Sequence, residues 1–193
     1  MPTEAQKAIA RHVAGVWKGR PKIIEMRAEG TKHVQAFAQL VDFPVEGLVA
    51  YSTIGLSDSG TLELATLSPT KYKSVSKSLF DVASYVAAGG RTLRSEEVFE
   101  KVLGRYYPRS DAAHWLVRSK AREGIQIPAV ELPGRRVSWV YAWPVTSDEL
   151  IWHREGHERQ LDALLDSAGL HSFDLGRRTL EQVPNFDAWA KQE

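Results

Sequence analysis

Apolar residues recur along this chain with two different periods, and the switches between them divide it into elements. Ile9, Val13 and Val16 stand at helical spacing behind Thr3-Glu4-Ala5-Gln6. That tetrad is a capping box, in which a Thr hydroxyl and a Gln three residues on satisfy the first orphan amides of a helix. Gly19 and Pro21 end the run, so residues 4–18 are predicted as a helix with one apolar face, anchored by Trp17. The period then drops to two. Ile24, Met26 and Ala28, and after them Val34, Ala36, Ala38 and Leu40, mark two strands. Glu29-Gly30-Thr31 suits the hairpin turn between them, and Asp42-Phe43-Pro44 closes the second, because proline cannot donate to a ladder. Residues 48–54 and 62–67 are the next strands, joined by a loop of Gly, Ser and Asp. The four together predict an antiparallel meander.

Helical spacing returns at Val75, Leu79, Val82 and Val86, behind Ser74 as N-cap and ahead of Gly89-Gly90 as the stop, and this helix should pack across the sheet. The pattern is weakest from 91 to 132. There residues 98–103 fit a short strand or a helical turn, 104–111 a loop rich in Tyr, Arg and Pro, and 114–117 a buried strand. Residues 119–124 are a polar interruption. Pro133-Gly134 signals a turn. Val137, Trp139, Tyr141 and Trp143 then alternate in a strand ending at Pro144. Thr146-Ser147-Asp148-Glu149 is a second capping box, opening a helix over 147–168 with Gly169 as its stop. Its polar HREGHERQ stretch breaks or bends it. Phe173, Leu175, Leu180, Phe186 and Trp189, scattered among charges, predict a tail over 171–193 that packs loosely on the body.

Composition narrows the class. At 193 residues the chain fits one domain over 1–193, with its core at about 8–170, long enough to bury roughly 70% of its unfolded surface without a staple. It has no cysteine, which excludes disulfides, thiol catalysis and Cys-ligated metal. A net charge of +1 lacks the basic excess of a nucleic-acid binder, and Arg135-Arg136 and Arg177-Arg178 read as solvated surface. The first residues carry no apolar signal-peptide core, and no run approaches the about 18 apolar residues of a membrane span. Cytoplasmic location, no nucleic acid and no membrane are the expectations.

Candidate chemistry is sparse. His153 and His157, four apart, would share one helix face, yet Arg154 stands where the zinc motif has its Glu, so they read as structural. Ser57, Asp58 and Ser59 place hydroxyls beside a carboxylate without a nucleophile elbow. The reading there is a turn whose side chains bond nearby amides, with binding as the alternative. Nucleotide-binding glycine motifs are missing. Trp139 and Trp143 read as core, or, if exposed, as an interface.

The element order and two motif sets resemble the suppressor-of-fused (SUFU-like) family. The first set is Tyr51-Ser52-Thr53-Ile54-Gly55-Leu56-Ser57 followed by Leu62-Glu63-Leu64. The second is Trp143-Pro144-Val145-Thr146 with Glu149-Leu150, Arg154-Glu155-Gly156 and the leucines from Leu161 to Leu165. The resemblance runs from about Ala8 to Leu170. It implies an α+β fold, a mixed and mainly antiparallel sheet packed against helices, that binds protein with no cofactor, metal or reaction. Animal relatives sequester a transcription factor by clamping an extended peptide as an added strand. At this length the chain is expected to lack the second lobe of such a clamp. Small bacterial members, proposed to be immunity proteins that neutralise a cognate toxin, fit better.

The expected working surface is therefore the Gly55–Gly60 loop (Ser57, Asp58, Ser59) with neighbouring strand edges (Tyr51), and the Arg105–Asp111 loop (Arg105, Tyr106, Tyr107), since binding residues favour loops on a rigid scaffold. Two other readings stay open. One is a hydrolase using Asp58 and Glu63 with His114 or His157, which requires those groups to converge. The other is a subunit that only oligomerises through Trp139 and Trp143.

Overall fold

The first helix, α1 (Glu4–Trp17), forms for the reason its sequence supplies. Thr3 Oγ1 accepts the Gln6 amide at 3.2 Å, and Gln6 Oε1 returns the favour to the Thr3 amide at 3.1 Å. Ile9, Val13 and Trp17 are buried along one face, and the Trp17 indole donates to the Ile125 carbonyl at 3.2 Å, which is the anchor the sequence led us to expect. This computed structural model describes residues 2–19, 21–27, 34–40, 47–121, 125–168 and 172–177. The expected turn at 29–31, the stop at 42–44, Gly169 and residues 178–193 of the tail lie outside the described residues.

The chain divides into two compact units, Met1–Glu97 with Val117–Ala142, and Val98–Leu116 with Trp143–Glu193. In the first, β1 (Pro21–Arg27), β2 (Val34–Leu40), β3 (Leu48–Ile54) and β4 (Glu63–Pro69) pair in chain order, each antiparallel to the last. The meander is as expected. Registers such as Phe37↔Thr53 and Tyr51↔Thr66 carry it across the sheet. The helix α2 (Val75–Ala88) covers β2, β3 and β4. Its stripe of Val75, Leu79, Val82 and Val86 is at most 1% exposed, and burial of this kind contributes about 1.5–3 kcal/mol per large side chain. Ser74 stands at its N-cap, its side chain making no capping bond, and the left-handed residue beyond its end is Gly90, at φ +59°.

The 91–132 segment, hardest to read in advance, resolves into short pieces. A two-residue strand β5 (Val98–Phe99) pairs antiparallel with β6 (His114–Arg118), and a 3-10 turn spans Leu103–Arg105. A small hairpin of β7 (Val130–Leu132) and β8 (Arg135–Val137) turns at Gly134, whose φ of +80° explains the Pro133-Gly134 signal.

The strand β9 (Trp139–Val145) joins β4 in parallel, Leu64 opposite Val140. Two details correct the expectation. The strand continues through Pro144 to Val145, and all its seven residues are buried, not only alternate ones. A strand covered on both faces loses the in–out contrast that alternation is supposed to report. After it the helix expected over 147–168 is broken within its polar stretch, as read, into α3 (Ser147–Arg154) and α4 (Glu158–Ala168), with Gly156 at φ +89° between them. Phe173 and Leu175 of the tail are 1% exposed, and Phe173 rests against Trp143 with ring centroids 4.7 Å apart. Their packing is tight, not loose. Among the described residues no helix is long and apolar enough to cross a membrane. The architecture is α+β with a mixed sheet.

Candidate protein-binding site

The loop between β3 and β4 is shaped by one buried acid. Glu63 is 0% exposed. Its Oε1 accepts the Gly55 amide at 2.8 Å, the Ser57 amide at 3.0 Å and the Ser57 hydroxyl at 2.7 Å. Its Oε2 accepts the Thr53 hydroxyl at 2.7 Å and the Leu56 amide at 3.3 Å. Thr53 Oγ1 in turn accepts the Leu64 amide at 2.7 Å, which closes the ring between the two strands. The amides can converge on one carboxylate because Gly55 adopts φ +119°, a conformation side chains resist, and a 3-10 turn over Leu56–Ser59 follows it. The expected turn is present, but the Ser57 hydroxyl bonds the buried carboxylate and not a local amide. Asp58 instead faces away, meeting Arg135 at 2.5 Å and the Gln6 side chain at 2.8 Å.

A second buried acid organises the start of α3. Glu149, also 0% exposed, closes the capping box by accepting the Thr146 amide at 2.9 Å, and it receives a bidentate ion pair from Arg177. Arg177 donates further to the carbonyls of Pro144 at 2.9 Å and Ser172 at 3.2 Å. Arg177 therefore ties the tail to the α3 start and is no solvated surface residue.

The predicted surface residues separate by depth. Tyr51 is 3% exposed and Ser57 6%, so both support the first loop from beneath, while Asp58 and Ser59 reach its exterior. In the second unit Arg105 is exposed and Tyr106 and Tyr107 are half-buried, on a loop pinned by buried Leu103 and by the Gly104 amide donating to the Ala113 carbonyl at 3.2 Å. A depression of about 590 Å³ lined by residues 90–92 and 94–97 coincides with neither loop. Arg91 beside it donates to the Tyr85 hydroxyl at 3.0 Å and to Glu97 at 2.7 Å.

The groups named for hydrolysis are committed elsewhere. Glu63 is buried and its two oxygens together accept five hydrogen bonds. Asp58 is held by Arg135 and Gln6. His114, in the second unit, is 3% exposed, its Nδ1 accepts the Lys101 amide at 3.2 Å, and its Nε2 lies 3.1 Å from Ser147 Oγ. Burial holds its pKa below the usual histidine value, Glu100 pulls the other way, and Lys101 and Arg154 add to the lowering. Burial also raises the Tyr141 phenol, whose oxygen accepts the Ile127 amide at 2.8 Å. His153 and His157 do not share a helix face, since the break at Gly156 falls between them, and His157 lies against Trp152 at 5.5 Å. Among the described residues no group of three His, Cys, Asp or Glu could hold a metal. Trp139 and Trp143 are 6% and 0% exposed and belong to the core, which removes the exposed patch an oligomerising surface there would need.

The fold is α+β, and each of its two motif sets encloses a buried glutamate. The sequence matches the family model of Suppressor of fused protein (SUFU) over residues 30–178, and the chain belongs to that family. It is 24% identical over 188 residues to Immunity protein YqcF of Bacillus subtilis (strain 168), covering 92% of this chain and 98% of that one. Among solved structures, a SUFU homolog from Neisseria gonorrhoeae FA 1090 superposes with a TM-score of 0.64 at 14% identity, covering 91% of this chain and 96% of the other. A chain of the Sufu–Fu complex crystal structure gives 0.71 at 14% identity, over 100% and 99%. At these identities the two structures speak to the fold.

Proposed function

We propose that this chain is a non-catalytic, cytoplasmic protein-binding domain, an immunity protein that sequesters a protein partner such as a toxin. The observation that carries the reading is the end-to-end likeness to an immunity protein, 98% of which is matched. The site geometry supports it, because the buried acids able to do chemistry are spent on shaping loops. The binding residues we assign are, in the first unit, Asp58 and Ser59 on the caged loop, supported by Tyr51 and Ser57, and, in the second unit, Arg105, Tyr106 and Tyr107. Tyr and Arg are the side chains that most often dominate such interfaces.

The experiment is an affinity capture with the tagged chain from its own host, followed by co-expression of the captured protein. The expected result is one enriched protein, toxic alone and harmless with this chain. Arg105→Glu and Tyr107→Ala should each weaken the isolated complex by about 30-fold, the loss of a hot spot near 2 kcal/mol. No enriched protein, or a complex indifferent to all five surface residues, would overturn the function or the surface respectively.

A further inference from the structure

His114 has a place that the scaffold does not need for packing alone. It stands at the first position of β6, 3% exposed, and holds the turn that leads to the Arg105, Tyr106 and Tyr107 loop. The hold is one specific bond, from the Lys101 amide to His114 Nδ1 at 3.2 Å. Because a backbone amide can only donate, Nδ1 must be the unprotonated nitrogen, so the ring's proton lies on Nε2 and points at Ser147 Oγ, 3.1 Å away. Lys101 is also one of the few non-glycine residues at positive φ, +58°, a backbone conformation that persists only when neighbours hold it.

We infer that His114 is a pH-sensitive latch on the Arg105–Tyr106–Tyr107 surface, neutral when it holds the loop and protonated when it lets go. A proton arriving from water must land on Nδ1, the nitrogen facing the Lys101 amide, so two N–H groups then oppose one another. The bond is lost and with it the reason for Lys101 to keep its left-handed turn. The charged groups facing the ring are Glu100 and Lys101 from the turn and Arg154 from α3, and Glu100 is itself paired with Arg154. Two of the three oppose an imidazolium, as does burial. Buried Leu103 and the bonds from Gly104 to Ala113 and from Ser110 to Tyr107 stay in place when the ring is protonated, so the change is confined to residues 100–107. The partner-binding consequence rests on the surface proposed above; the latch does not.

The test uses the full chain, ¹⁵N-labelled, without a partner. The ring nitrogens of His114 should show the Nε2–H form at pH 7.5. Amide-exchange protection from Lys101 to Tyr107, corrected for intrinsic rates, should fall about tenfold per pH unit once the folded pKa is passed, while Ala50 and Tyr51 in β3 stay protected. His114→Asn keeps an oxygen acceptor near Nδ1 and cannot titrate, so its protection should be flat with pH. An Nδ1–H ring, flat protection in the wild type, uniform loss across both units, or an unchanged pH response in the Asn variant would each overturn the latch. If the variant fails to fold, the ring tautomer and the wild-type profile still decide. With a captured partner, affinity should drop at acid pH in the wild type alone. A working latch with unchanged affinity would refute the surface assignment and leave the latch standing.

Discussion

The cage around Glu63 makes a demanding prediction for Glu63→Gln, which preserves shape and volume but exchanges one carboxylate oxygen for an amino group. Oε1 faces three donors, the Gly55 and Ser57 amides and the Ser57 hydroxyl, and Oε2 faces two, the Thr53 hydroxyl and the Leu56 amide. Whichever way the amide turns, its NH2 meets at least two of them. The better orientation points NH2 at Thr53 and Leu56. The Thr53 hydroxyl can rotate to accept, but only by giving up its own alignment, whereas the Leu56 amide has no such freedom. The site therefore loses one charge-assisted bond worth about 1.5–3 kcal/mol and leaves a buried donor unsatisfied at about 1–3 kcal/mol more. The sum, about 2.5–6 kcal/mol, is a large fraction of the roughly 5–15 kcal/mol that holds a domain folded. Urea unfolding, monitored by tryptophan fluorescence, is a suitable assay, since Trp139 and its bond to Ser52 at 3.0 Å lie in the same unit. The midpoint should fall with an unchanged slope. Glu63→Ala, which orphans every donor, should not yield folded protein at all. A Gln variant within 1 kcal/mol of wild type would show that water or a rearranged loop can replace the carboxylate, and the cage would cease to explain the loop.

Other outcomes follow from the same geometry. Arg177→Met strands Glu149 as a buried charge and should cost about 3–5 kcal/mol in thermal or urea unfolding, with much of it recovered when Glu149→Gln is added. Gly55→Ala forces a side chain onto φ +119° and should cost about 1–3 kcal/mol, whereas Gly15→Ala, at an open position of α1, should stabilise slightly. The His114 pKa is lowered from 6.5 on folding, so the unfolded chain binds the proton more tightly. Its contribution to stability is complete above pH 6.5 and is lost as pH falls toward the folded value, which urea midpoints from pH 8 to 5 would show and His114→Asn would flatten.

How much of this was legible beforehand depended on whether the information was local. Both capping boxes, Thr3 with Gln6 and Thr146 with Glu149, are written in four consecutive residues and formed as read. The meander was legible because its strands pair in chain order. The parallel join of β4 to β9 was not, because Glu63 and Trp139 are neighbours only through the sheet and no local pattern encodes that. For β9 the alternation pointed to a strand but misreported its burial, since both faces are covered.

The same distinction separates motif from meaning at the two glutamates. The residues that carried the family resemblance, Thr53, Gly55, Ser57 and Glu63, are the members of one hydrogen-bonded ring, and Pro144, Thr146 and Glu149 are members of another. An acid in such a motif invites a catalytic reading because sequence reports its presence and not its lone pairs. Five donors on Glu63 turn that acid into a staple. The missing partner of Glu149 lay 28 positions away at Arg177, in a tail whose charges resembled any solvated surface. A buried ion pair of this span is weak evidence of added stability, since a hydrophobic pair often serves as well. It fixes geometry instead: the tail docks where the guanidinium meets both carboxylate oxygens and the Pro144 carbonyl at once. Both buried acids of this chain thus act on its shape, one by closing a loop and one by docking the tail.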